Sequence, residues 1–139
     1  MGFIAFGRRI QRPYWGLIEQ TPAVKWILAV FWTAFIVYGL VSPQDDVSHF
    51  PWLEIKGVDK LIHAVLFAGE AGLLLWAVGR TSALFAMAGV VVWCMALGGV
   101  LEVVQFYWVE GRNGDLLDLL ADTVGALVGV LAIGVLRKK

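Results

Sequence analysis

Four apolar stretches of about 20 residues each dominate this sequence and restrict its fold more than any other feature. They cover about 23–41, 58–79, 82–108 and 116–136, and a helix of about 20 residues is long enough to cross a bilayer. None shows the alternation typical of a β-strand, and lipid cannot satisfy the backbone polar groups of an irregular segment. The sequence therefore predicts an all-α membrane protein, a four-helix transmembrane bundle, with residues 1–139 as a single domain.

The composition excludes several other classes of protein. Hydrophobic residues make up 60% of the chain and charged residues 16%, which is too apolar for a soluble or a disordered chain. Eleven basic residues balance eleven acidic ones and give a formal net charge of zero, so nucleic acid is not an expected partner. The single cysteine, Cys94, cannot form an internal disulfide bond. The partner that the composition predicts is the lipid bilayer.

Basic residues indicate the orientation, because they accumulate at the cytoplasmic ends of membrane spans. Most of them lie before or at the start of the first stretch, between the second and third, and after the fourth: Arg8, Arg9, Arg12, Lys25, Arg80, Arg137, Lys138 and Lys139. Both termini are therefore predicted in the cytoplasm and the acidic connections outside. Residues 1–22 mix aromatic and basic side chains, which is typical of a segment that lies along the membrane interface.

Polar side chains interrupt three of the apolar stretches at a similar depth. They are His63, Glu102, Gln105, Asp118 and Asp122. At a rise of about 1.5 Å per residue, they lie roughly 3–9 Å from the predicted outer ends of their helices. An ionisable group inside a membrane costs about 2.5–3.5 kcal/mol at the centre of a helix. This layer in the outer leaflet therefore indicates a functional site or a paired network.

Helical spacing directs the acids of the fourth stretch toward the other helices. Asp118 and Asp122 share a face with Gly125 and Gly129, and small residues spaced by four let a neighbouring backbone come close. Glu70, in the second stretch, lies nearer to the membrane midplane. We expect Glu70 to be protonated or hydrogen-bonded, because a lone carboxylate is costly in apolar surroundings.

Three short motifs follow one another in this region. Asp59, Lys60 and His63 form D-K-x-x-H, Glu102 and Gln105 form E-x-x-Q, and Arg112 is followed by Asp118, Asp122 and Gly125 at spacings of six, four and three. This ordered set, from about residue 57 to 129, resembles the VanZ-like family, whose pattern is D-K-x-x-H, then E-x-x-Q, then R followed by D, N and G. Asp122 departs from that pattern, because the family most often has Asn there, and the departure adds a potential charge.

The resemblance implies a multi-pass protein of the bacterial inner (plasma) membrane with a role in the cell envelope. The founding member of the family is associated with antibiotic resistance, to glycopeptides and chiefly to teicoplanin. The resemblance supplies no biochemical activity, and neither it nor the residues indicate a cofactor. The family motifs fall on the same positions as the polar layer.

The first functional hypothesis is a pocket, open to the outer leaflet, that binds an anionic cell-envelope lipid or a lipid-like antibiotic such as a lipoglycopeptide. Lys60 and Arg112 would hold a phosphate or carboxylate by charge-assisted hydrogen bonds. In an enzymatic version, which the sequence leaves open, His63 is the general acid or base, oriented by Glu102 or Asp118. The candidate catalytic residues are His63, Glu102 and Asp118, and the candidate binding residues are Asp59, Lys60, Gln105, Arg112 and Asp122. Binding without chemistry is preferred, because the sequence has no nucleophile motif and no phosphate-binding loop.

Three alternatives remain open from the sequence. In the first, the polar layer is a hydrogen-bonded network that fixes the register of the helices. In the second, His63, Glu102, Asp118 and Asp122 bind a divalent metal ion; their spacing matches no local ligand motif, so no residue is assigned as a metal ligand. In the third, Glu70 continues a path for protons or ions. The oligomeric state, including a homo-oligomer, also remains open.

Overall fold

Four long helices make up the fold. The computed structural model describes residues 21–43, 55, 57–79, 83–111 and 114–136. The helices are α1 (Pro22–Val41), α2 (Val58–Val78), α3 (Ala83–Trp108) and α4 (Leu116–Leu136). Each is long and apolar enough to cross a membrane, and the described residues include no strand. The all-helical architecture with four spans, predicted from hydropathy, is confirmed.

The ends of the first two helices follow from local sequence. Thr21 is extended and Pro22 takes the first helical position of α1, where the missing N–H of proline costs nothing. Gly57, with φ of 90°, precedes α2, and Gly79, with φ of 76°, follows it. Both glycines adopt a backbone conformation that other residues rarely adopt. Residues 1–20 of the predicted interfacial segment lie outside the described part of the chain.

Helices α2 and α4 run parallel and form the most extensive contact in the bundle. Gly125 of α4 lies against the backbone of Ala64, and Gly129 lies against the backbone of Ala68; a Cβ atom at either glycine would collide with the facing carbonyl oxygen. The predicted ridge of small residues on α4 therefore does bring two backbones into close contact.

Helix α1 joins the bundle through α2. The indole Nε1 of Trp32 donates a hydrogen bond to the carbonyl oxygen of Leu66 at 3.0 Å, and the ring covers Gly69, where a Cβ would come within 2.8 Å of it. Near the other end of α1, the ammonium group of Lys25 lies 5.0 Å from the centre of the Trp76 ring, which is a cation–π distance.

The apolar side chains divide into a narrow core and a broad outer surface. The core contains Ile36, Phe67, Cys94 and Val130, all nearly inaccessible. At most 28% of the most apolar part of each helix is buried inside the bundle. Large side chains such as Phe85 point outward. Such a continuous apolar surface is far larger than water tolerates on a monomer. It fits a bundle whose outer side chains contact lipid.

One end of the bundle carries almost all of the described ionisable side chains. Here α1 ends, α2 begins, α3 ends and α4 begins, as shown by contacts such as that of Lys60 with Asp118 and that of Gln105 with Leu40. We call this the polar end. At the opposite end, the described part of the chain contributes Lys25 and Trp76.

Candidate functional site

Two helices and the start of a third bring seven ionisable residues together at the polar end. We call this group the polar cluster. It consists of Asp59, Lys60 and His63 from α2, Glu102 from α3, and Asp115, Asp118 and Asp122 from the start of α4 and the residue before it. Direct contacts between side chains, or between a side chain and a backbone N–H, link its members.

Lys60 is the cation at the exposed side of the cluster. Its ammonium nitrogen lies 3.1 Å from Asp59, 3.0 Å from Asp115 and 2.9 Å from Asp118. The Lys60 side chain is 31% exposed and that of Asp118 only 12%, so this ion pair leads from the surface into the bundle. One positive charge is thus shared by three carboxylates.

His63 forms the buried side of the cluster. Its Nδ1 atom lies 2.9 Å from Oδ1 of Asp122, and both side chains are almost completely buried. Because a carboxylate accepts hydrogen bonds, Nδ1 carries the donated proton, which leaves Nε2 of a neutral ring with a free electron pair. The sequence predicts Glu102 or Asp118 as the group that orients His63, whereas in the structure that group is Asp122.

Two buried oxygen atoms of the cluster have no hydrogen-bond partner among the described residues. Oε2 of Glu102 accepts the backbone N–H of Asp115 at 2.6 Å, but Oε1 of the same group is unpartnered, as is Oδ2 of Asp122. Buried polar atoms are normally hydrogen-bonded, and an exception calls for an explanation. These two oxygens are therefore available to a ligand.

His63, Glu102 and Asp118 also lie close enough to one another to bind one metal ion. Each offers one potential ligand atom, and the three atoms lie within 4.8 Å of one another. The candidate catalytic residues from the sequence are thus close together in space.

Asp115 is a member of the cluster that sequence reasoning missed. Its Oδ1 accepts the N–H of Leu117 at 2.9 Å and its backbone carbonyl accepts that of Asp118, so it caps the start of α4. The N–H of Leu117 and the Lys60 ammonium group hold the pKa of Asp115 below its usual value. An aspartate immediately before an apolar helical run is an N-cap signal that could have identified it.

The other predicted binding residues occupy different positions. Gln105 is buried, but its amide donates to the carbonyl oxygen of Leu40 at 2.9 Å, which ties α3 to the end of α1. The side chain of Asp59 is 53% exposed and contacts Lys60. Arg112 lies outside the described residues.

Helix dipoles add positive potential at the polar end. Helices α2 and α4 both begin there, each with an acid in its first turn, Asp59 and Asp118. A helix N-terminus acts like about half a positive charge and favours nearby anions. The cluster therefore combines fixed carboxylates with two helix ends that attract negative charge.

Glu70 forms a second buried polar site, about 10 Å along α2 from His63 at the helical rise per residue. Its Oε1 lies 2.8 Å from the Thr33 hydroxyl and accepts a hydrogen bond from the Trp93 indole at 3.4 Å, whereas Oε2 has no partner within the described ranges. The sequence singled out Glu70 but gave no signal for its two partners.

A lateral groove of about 800 Å³ runs between α1 and α3. Its walls are mainly apolar, and the partners of Glu70, Thr33 and Trp93, both line it. None of its lining residues belongs to the polar cluster. The groove and the cluster are therefore separate features of the bundle.

The fold and the site together define an integral membrane protein of four helices with a charged cluster buried at one end. The model of the VanZ/LLP1 family matches residues 8–137, and the chain belongs to this family. The resemblance found in the motifs is thereby confirmed over nearly the whole chain. No curated protein and no solved structure matches the sequence.

Proposed function

We propose that this protein binds the polar head group of an anionic cell-envelope lipid, or of a lipid-like antibiotic of the lipoglycopeptide kind, at the polar end of the bundle. In this proposal the protein lies in the bacterial plasma membrane with both termini in the cytoplasm, so that the polar end faces outward. A glycopeptide-resistance role of the teicoplanin type would then follow from interception of an envelope lipid or of the antibiotic.

The observation that carries the proposal is an incompletely paired ionisable cluster at one end of the membrane-spanning helices. Lipid head groups occupy the level at which spanning helices begin and end. About 9 Å inside those helix ends, at the helical rise per residue, Oε1 of Glu102 and Oδ2 of Asp122 are buried without hydrogen-bond partners in the described part of the chain. Hydroxyl or amide groups of a bound head group would donate to these oxygens.

The surroundings of the cluster favour a lipid over a water-soluble ligand. Leu61, Phe106 and Leu117 are exposed at the polar end, so the acyl chains of a bound lipid would continue onto an apolar helix surface. The two helix N-termini, with Lys60 and Arg112 as further candidates, would attract a phosphate or carboxylate.

Binding alone accounts for these features, and a reaction would add one role. His63 is placed to transfer a proton, because Asp122 holds Nδ1 and the imidazole of histidine titrates near neutral pH. Glu102 and Asp118, the other two candidate catalytic residues, would then act beside His63.

Native mass spectrometry of gently extracted protein tests the proposal. We expect the wild-type chain to carry a bound lipid that is lost in Arg112→Ala, His63→Ala and Glu102→Gln, while thermal stability in detergent stays nearly unchanged. Glu70→Gln is the matched control, because it neutralises a buried acid outside the cluster, and it should keep the lipid. If His63→Ala and Glu102→Gln both fail to fold, the cluster is a structural network instead.

A further inference from the structure

The polar cluster holds more negative charge than its own cations neutralise. Five of its members are carboxylates, and the ammonium group of Lys60 is already shared by three of them. Among the described residues, Glu102 receives a hydrogen bond only from the backbone N–H of Asp115. Unpaired carboxylates are costly in a low-dielectric interior. The cluster therefore has a place for additional positive charge.

The position of that charge follows from three side chains that face one another. As whole residues, His63 is 5% exposed, and Glu102 and Asp118 are each 9% exposed. Their potential ligand atoms lie within 4.8 Å of one another. Oε1 of Glu102, which is buried and unpartnered, is free to act as the carboxylate ligand.

The hydrogen bond between His63 and Asp122 prepares the imidazole for a cation. With Nδ1 engaged by Asp122 at 2.9 Å, the nitrogen left for a metal ion is Nε2. Metal-binding histidines commonly donate their other N–H to a carboxylate, which fixes the ring and raises its basicity. Asp122 thus acts through His63.

We propose that His63, Glu102 and Asp118 bind a divalent metal ion at the polar end, with Asp122 as a positioning residue for His63. Two carboxylates and one neutral imidazole carry a charge of minus two, which matches the ion. Asp118 keeps Oδ2 for the metal while Oδ1 accepts a hydrogen bond from Lys60 at 2.9 Å. In this site, side-chain rotations would have to bring each of the three atoms to about 2.0–2.2 Å from the ion.

The ligand set also indicates which ions fit. One nitrogen and two oxygen ligands suit Mn²⁺, Fe²⁺ or Zn²⁺ better than the soft cations that prefer sulfur. Three protein ligands leave a coordination position open. We infer that the open coordination position takes a phosphate oxygen of the lipid head group. This step rests on the proposed function.

Titration of the purified full-length chain with MnCl₂ tests the site, after EDTA treatment and in lipid-free detergent, with free Mn²⁺ followed by electron paramagnetic resonance. We expect one ion per chain at submillimolar concentration. Glu102→Gln and Asp118→Asn should each weaken binding by at least about tenfold, and Asp122→Asn by about 10–100-fold, the range typical of outer-shell partners. Glu70→Gln should bind as the wild type does.

Three results would overturn the proposal. They are no stoichiometric binding of Mn²⁺, or of ZnCl₂ in a parallel titration, by the folded wild type; equal affinity in the wild type and in folded Glu102→Gln and Asp118→Asn; and a loss in Glu70→Gln as large as in the cluster variants. Gel filtration and circular dichroism establish folding. If Glu102→Gln does not fold, Asp122→Asn decides, since it leaves all three ligands in place.

Failure of the metal site and failure of lipid binding give different results. Metal binding without any co-purifying lipid supports the ion and contradicts the lipid proposal. Lipid that remains bound after EDTA has removed all metal, and that is still lost in Arg112→Ala, supports direct head-group binding and contradicts the open coordination position inferred here.

Discussion

The contact between α2 and α4 is built in two different ways along one face. In its first turns the face joins charged side chains, and in the following turns it joins backbone to backbone. The pairs along it, in order from the polar end, are Lys60 with Asp118, His63 with Asp122, Ala64 with Gly125, and Ala68 with Gly129. The two halves adjoin each other but depend on different physical effects.

Close backbone packing favours association of the two helices more than the charged contacts do. Van der Waals contact at small residues is a main source of helix association in membranes, whereas interhelical polar contacts contribute on average about 0.6 kcal/mol. Each buried ionisable group, in contrast, is costly. On these magnitudes, the charged half adds little to the association of the two helices.

The largest expected effect comes from filling the close contact. Gly125→Ala should lower the free energy of unfolding by about 2–3 kcal/mol, because its Cβ meets the backbone of Ala64. Gly99→Ala is the matched control in α3, where a Cβ meets nothing within 4 Å; it should be neutral or stabilising. Denaturant titration followed by circular dichroism measures both. Equal losses would contradict the role given to close packing.

Removal of the shared cation should have a smaller effect on stability. Lys60→Met leaves Asp115 and Asp118 without their ammonium partner, and we expect a loss of about 1–2 kcal/mol after allowance for the partial exposure of the side chain. Lys25→Met, which removes a cation at the opposite end, should cost less than about 1 kcal/mol. A larger loss in Lys25→Met would remove the distinction between the two ends.

Neutralising the second buried acid should change stability by less than about 1 kcal/mol. In Glu70→Gln the amide oxygen replaces Oε1 as acceptor for Thr33 and Trp93, so the two hydrogen bonds persist. The same unfolding titration measures the effect. A loss as large as that of Lys60→Met would mean that the negative charge of Glu70 itself matters, and that the charged region extends beyond the polar cluster.

The smallest effect is expected at the exposed side of the cluster, and it depends on pH. The pKa of Asp115 is held below its usual value by the N–H of Leu117 and by Lys60. Its ionised form therefore contributes stability above the unfolded-state pKa of about 3.9, and this contribution disappears as the pH falls through the lower folded-state pKa. Asp115→Ala should unfold slightly earlier than the wild type at pH 7. The difference should shrink at strongly acidic pH, where the protonated side chain keeps a capping oxygen but no charge.

A difference between wild type and Asp115→Ala that grows toward acidic pH would contradict this assignment. Asp115→Asn separates the two contributions, because asparagine keeps the capping oxygen but not the charge. It should therefore lie between the other two proteins at neutral pH.

Hydropathy and the rise per residue predict a large part of this structure. They give the four helices to within about two residues, and they place His63, Glu102 and Asp118 at one depth, where the structure has them close together. The pattern of small residues on α4 likewise predicts the close contact at Gly125. These features depend on periodicity along single helices.

The partners of the polar side chains depend on how each helix is rotated about its axis, which depth does not determine. Gln105 shares the depth of the cluster, yet its amide turns to Leu40 of α1. His63 meets Asp122 and not the two acids first considered. The hydrogen bond of Trp93 with Glu70 depends on the packing of α3 against α2, for which no local sequence signal exists.

Helix α4 is the last of the four to be synthesised, and it carries two carboxylates into the membrane. The groups that pair with them, Lys60 and His63, belong to α2, which enters the bilayer earlier. Until α4 arrives, Lys60 keeps only Asp59 among its described carboxylate partners, and the backbone at Ala64 is uncovered. Without α2, the acids of α4 lack these partners inside the membrane, where an unpaired ionisable group is costly. The charged half therefore exists only when both helices are in place, and each supplies groups that the other lacks.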